Sequence, residues 1–153
     1  MELLFRGTKD GMTSEIFHNK CDNKGPTLTL IRNIKGYIFG GYAPISWTSN
    51  TSYYINSPDS FLFTLTNIHN TEPTKFPSKN DNKELCHLCN YGPIFGNGRD
   101  LAIRGDFKNG EHWSDYPCTF KDILGKGKSI FTGNLDNNKN NFKLNEIEIF
   151  KVI

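Results

Sequence analysis

No apolar run in this chain comes near the roughly 18 residues that a membrane-crossing helix needs, so membrane insertion is not expected. Basic residues form no cluster: they scatter from Arg6 to Lys151, and the net charge is only +2. That leaves no stripe for a nucleic-acid backbone. The opening MELLFRGTKDG lacks a basic head, an apolar stretch and a small-residue cleavage site. It does not read as a secretory signal, and a cytoplasmic location is expected. The four cysteines are then expected as free thiols, and the sequon Asn50-Thr51-Ser52 as unglycosylated.

Apolar residues make up only 36% of the chain, but 13% is aromatic and twelve residues are Phe, each able to bury a large area. A length of 153 residues suits one domain, residues 1–153. Thr13 is placed to cap a helix, with Glu15 in its first turn. Met12 and Ile16, then Phe17 and Cys21, share its buried face, and Gly25-Pro26 ends it. Residues 1–7, 27–32, 36–42 and 60–66 read as strands, with Leu28 and Leu30 on one face of theirs. In the last of these, Phe61, Phe63 and Leu65 point one way and Ser60, Thr64 and Thr66 the other. Pro73 and Pro77 confine residues 72–77 to an edge strand or a loop. Residues 92–96 and 100–105 read as two strands around a glycine turn, and the chain closes on a strand in which Ile147 and Ile149 oppose Glu146 and Glu148. The fold class expected is mostly β: a two-sheet antiparallel sandwich with one or a few short helices.

Several chemical motifs are incomplete. Gly127-Lys128-Ser129 ends like a phosphate loop, but the glycine required five positions earlier is Asp122, whose charge opposes a phosphate. Gly96-x-Gly98 begins a dinucleotide fingerprint, yet Leu101 stands at the third glycine. Asp136, Asn138 and Asn140 sit like calcium ligands, but Asn141 replaces the turn glycine and Glu146 comes one place early. Cys86 and Cys89 have the spacing of half a zinc site, or of a redox pair. Only Cys21, Cys118 and scattered histidines could complete a metal set, so no metal and no cofactor is expected. His112, beside Glu111 and Trp113, reads as a surface-loop residue. Glu146 and Glu148 share a strand face, which suits either acid–base work or a solvated surface.

The order of these blocks resembles the TLDc domain in the form common in protist proteins. Residues 3–31 resemble its opening strand, helix and second strand. GYIFGGYAPISW, residues 36–47, resembles its glycine-pair and tryptophan segment, and SFLFTLTN, residues 60–67, its central strand. YGPIFGNGRDLAI, residues 91–103, resembles its Gly-Pro-x-Phe-Gly-x-Gly-x-Asp-Leu signature, with Asn97 where glycine is common. Family members usually carry a further stretch before the position of Leu3, so part of that fold is expected to be missing or replaced.

The resemblance implies a two-sheet sandwich and a non-enzymatic interaction module. It implies protection against oxidative damage and binding to subunits of the vacuolar proton-pumping ATPase, peripheral to acidic organelles. Gly40 and Gly41 are expected to bend a bulged strand and to admit close backbone or a partner. Trp47, Phe95 and the Phe61/Phe63 face are expected to fill the core. Gly92, Gly96, Gly98 and Asp100 form the signature turn, where Asp100 either ties down loop N–H groups or takes part in docking. Glu146 and Glu148 would supply charge at an edge, and the isolated domain is expected to be a monomer. The alternatives are an enzyme, redox-active through Cys86/Cys89 or hydrolytic through Glu146/Glu148, and an adaptor domain of a larger scaffold.

Overall fold

A computed structural model describes residues 1–51 and 53–153; Ser52 of the sequon lies outside the described residues. Among these residues the chain forms two six-stranded antiparallel sheets and three short helices. In the first sheet the strands run, edge to edge, β1 (Glu2–Arg6), β12 (Leu144–Lys151), β2 (Thr27–Asn33), β3 (Ile38–Ala43), β5 (Phe61–Thr64) and β6 (Thr74–Pro77). The second sheet runs β11 (Asn141–Phe142), β10 (His112–Trp113), β9 (Leu101–Arg104), β8 (Tyr91–Phe95), β7 (Leu85–His87) and β4 (Tyr53–Ile55). The expected edge strand is β6, which ends the strand order and pairs with β5; Pro77 lies within it and Pro73 just before it.

Helix α1 (Gly7–Asp10) is one turn, and α3 (Ser129–Thr132) is another, closed by Gly133 in the left-handed region at φ 68°. The longer α2 (Ser14–Cys21) starts as the sequence suggests: the Thr13 hydroxyl accepts from the Ile16 N–H at 3.3 Å. Phe17 and Cys21 are buried beneath it, Ile16 packs at the margin, and Met12 precedes the helix.

The interior is a continuous set of aromatic rings meeting edge to face, an arrangement that suits their quadrupoles. Phe5 meets Phe17 at 6.2 Å, Trp47 meets Phe95 at 5.6 Å, and Tyr116 meets Phe131 at 4.9 Å. The one polar atom of the Trp47 ring is satisfied, because its indole N–H donates to the Thr27 hydroxyl at 2.9 Å.

Three expectations are corrected by this arrangement. Phe61 and Phe63 do not fill the space between the sheets; Leu62 does, fully buried, while their rings lie on the outer face. Period two separates two faces but does not say which one is inside. The strand around Gly40 and Gly41 has no bulge: Gly40 pairs with Leu30 and Phe63, and Gly41 with Thr29 and Leu62, in unbroken register. Finally, His112 is not in a surface loop but at 0% exposure on β10. Its Nδ1 accepts from the Arg104 N–H at 3.0 Å and its Nε2 donates to the Phe107 carbonyl at 3.0 Å, which fixes a neutral ring.

Candidate functional site

Gly40 and Gly41 point to opposite faces, and each receives an aromatic ring. A Cβ on Gly41 would fall 2.6 Å from the Phe95 ring inside the core. On the outside, a Cβ on Gly40 would collide with the Thr29 carbonyl and stand 3.0 Å from the tip of the Phe63 ring. Gly92 plays the same part for Phe107, at 2.7 Å, and Gly98 for the Cys118 sulfur, at 2.5 Å. Gly96 turns the chain at φ 96°, a conformation costly for a residue with a Cβ. Trp47, Gly40, Gly41, Gly92, Gly96 and Asp100 are all buried.

Asp100 holds the segment after β10 in place. Its carboxylate accepts the backbone N–H groups of Cys118 at 2.9 Å, Thr119 at 3.0 Å and Phe120 at 3.0 Å. Burial raises its pKa, and those three donors pull it back.

The two glutamates are engaged on β1 and α1. Glu148 pairs with the Arg6 guanidinium at 2.9 Å. Glu146 accepts from the Thr8 N–H at 3.1 Å and also from the Thr8 hydroxyl. Cys86 is buried against Ile94 and Ala102, and Cys89 is exposed in the turn beyond. Burial pushes the Cys86 thiol up, with the Arg99 charge opposing. Among the described residues no three His, Cys, Asp or Glu side chains converge as metal ligands would.

Near Cys89 a polar hollow is lined by Glu15, His18, Asp22 and Ser49. His18 Nδ1 meets Asp22 at 2.7 Å, while Nε2 is directed to the Tyr91 carbonyl at 2.8 Å and the Leu88 carbonyl at 3.2 Å. With both nitrogens occupied, His18 ties α2 to β8 and offers no free base to the Cys89 thiol.

The feature that sequence reading missed is the outer face of the first sheet. Its pairings align Leu3, Phe150, Leu28, Tyr42, Phe61 and Pro77 in one row across all six strands. The next row reads Arg6, Glu148, Leu30, Gly40, Phe63 and Lys75. On β2 the threonines Thr27 and Thr29 are buried while Leu28 and Leu30 look outward, the reverse of a solvated face. The rings of Tyr42 and Phe61 stack at 5.1 Å, and Lys75 Nζ lies 4.4 Å from the centre of Phe61. Together Leu28, Leu30, Phe61, Phe63 and Phe150 line a concavity of about 600 Å³. Alternating leucines in β2 were the available signal, but nothing local marked them as external.

The chain matches the TLDc domain over residues 1–153. It is also 33% identical over 63 residues to the MTOR-associated protein MEAK7 of Danio rerio. That stretch covers 41% of this chain and 14% of the length of that protein. The glycine-pair strand, the signature turn held by Asp100 and the match along the whole length agree: this chain belongs to the TLDc domain family.

Proposed function

We propose that this chain is a non-enzymatic TLDc interaction module that docks a protein partner on the outer face of its first sheet. The observation that carries this reading is the apolar row from Leu3 to Pro77, in which Leu3 is 41% exposed, with Leu65, also 41% exposed, at the rim of the adjoining concavity. Contiguous apolar surface of this kind mostly marks a binding site on a folded chain. The partner proposed is a subunit of the vacuolar proton-pumping ATPase, in the setting of oxidative-stress protection, at the cytoplasmic side of acidic organelles.

Charge narrows the chemistry of that partner. Lys75 at the β6 end and Arg32 beyond Leu30 form no ion pair among the described residues. An apolar ridge flanked by carboxylates complements both. The occupation of Glu146 and Glu148 by Thr8 and Arg6, and the raised Cys86 thiol, favour binding over acid–base or thiol chemistry.

The experiment is direct binding of purified proton-pump subunits to the immobilised chain, compared with a Leu28→Asp/Phe61→Asp variant and with Lys75→Glu. The expected result is saturable binding that the double variant abolishes and Lys75→Glu weakens, with circular dichroism unchanged. Binding that both variants retain would overturn the assignment of this face, and no binding at all would overturn the partner.

A further inference from the structure

The outer face of the second sheet carries a different feature, independent of the docking face on the first. The register places Tyr91 directly opposite Arg104, and Trp113 opposite Ala102. Ala102 and Arg104 are two apart on β9, so Tyr91, Arg104 and Trp113 share one face. The fourth member arrives from the signature turn. Arg99 is held at φ 57°, a left-handed conformation that few residues other than glycine adopt. Its carbonyl accepts the Asp115 N–H at 3.0 Å, and its guanidinium carbon stands 5.2 Å from the centre of the Tyr91 ring. An Arg99 Nη also donates to the Tyr91 hydroxyl at 3.4 Å.

Tyr91, Arg99, Arg104 and Trp113 thus line a cleft of about 140 Å³. Neither arginine has a carboxylate partner among the described residues. The nearby carboxylates are taken up by other donors. Asp115 accepts the Trp113 indole N–H at 2.7 Å and the Asn140 amide at 3.3 Å, and Asp106 accepts the N–H groups of Lys108 and Asn109. Two guanidinium forks therefore face a small open cleft without a counter-ion.

We propose that this cleft binds a phosphomonoester group. A phosphomonoester carries between one and two negative charges and three acceptor oxygens, which two forks satisfy together. A single carboxylate has charge and oxygens for only one of them. The aromatic walls of Tyr91 and Trp113 suit a ring or an apolar stem bearing the phosphate, as on a phosphorylated side chain. Free inorganic phosphate shares the chemistry without the stem.

The test is NMR titration of the full chain at low salt with phenyl phosphate, inorganic phosphate and benzoate. The Trp113 indole signal serves as reporter and the buried Trp47 indole as the folding control. Phenyl phosphate should saturate the Trp113 shift and leave Trp47 in place. Arg99→Asn, which tolerates the left-handed turn, and Arg104→Gln should each weaken it by about tenfold or more. Arg104→Lys keeps the charge but loses the fork, so it should recover only part of the affinity. Tighter binding of phenyl phosphate than of inorganic phosphate assigns the site to a phosphorylated side chain, and equal binding assigns it to free phosphate. Benzoate binding as tightly as phenyl phosphate, an Arg99→Asn/Arg104→Gln variant with unchanged affinity, or the absence of saturation would overturn the proposal.

Discussion

The Phe95 ring rests directly on Gly41, so close that a Cβ at that position would stand 2.6 Å from the ring tip and 2.7 Å from its edge. The contact joins the two sheets where a side chain would hold them apart. Gly41→Val should therefore destabilise the fold by about 1–3 kcal/mol through overpacking, lowering Tm by about 2–10 °C. Thermal unfolding by circular dichroism checks this, and an unchanged Tm would contradict the packing.

Asp100 supplies the acceptors for the N–H groups of Cys118, Thr119 and Phe120. Asp100→Ala leaves all three without a partner and should cost about 3 kcal/mol or more. Asp100→Asn keeps one acceptor oxygen and should cost less. Urea unfolding midpoints should fall in the order Asp, Asn, Ala, and equal midpoints would show that the carboxylate does not hold the loop.

Burial lowers the pKa values of His87 and His112. The unfolded chain then binds more protons than the folded one as pH falls through about 6.5. Stability should be level above that pH and decline below it, so the urea midpoint should be lower at pH 5.5 than at pH 7.5. His87 is 3% exposed, and neither ring nitrogen has a hydrogen-bond partner among the described residues. His87→Leu should flatten the decline, and a wild-type midpoint that does not move with pH would refute the account.

Cys21 is pushed up to about 12, mainly by burial with Asp22 adding to it, and burial raises Cys86 as well. Cys89 and Cys118 are exposed. In the native chain iodoacetamide should label Cys89 and Cys118 first. Cys21 should react at least about a hundredfold more slowly, given its small thiolate fraction. Mass spectrometry of digested peptides distinguishes the four sites, and early labelling of Cys86 would revive a redox reading of the C-x-x-C motif.

The local pattern of the chain was enough to locate the α2 cap at Thr13, the strands of the first sheet, the edge position of β6 and the alternation of Ile147 and Ile149 with Glu146 and Glu148 on β12. Each of these rests on residues adjacent in sequence: a capping hydroxyl, an alternation, a proline. In the second sheet β8 and β9 were legible around their glycine turn, but β10 and β11 left no such trace, because they are two residues each and exist only through their partners. His112 illustrates the gap: its neighbours Glu111 and Trp113 look solvated, yet pairing with Phe142 carries it inside.

Which face of a strand is buried was also beyond local pattern. On β2 the sequence offers leucines on one side and threonines on the other, and elementary hydropathy turns the leucines inward. The folded chain does the opposite, because the inner side must accommodate the rings of the second sheet and give Trp47 a hydroxyl partner in Thr27. The same constraint turns Leu62 inward and leaves Phe61 and Phe63 outside, where Gly40 makes room for a ring. Alternation decides that a strand has two faces, but only contacts between residues far apart in the chain decide which of them meets water.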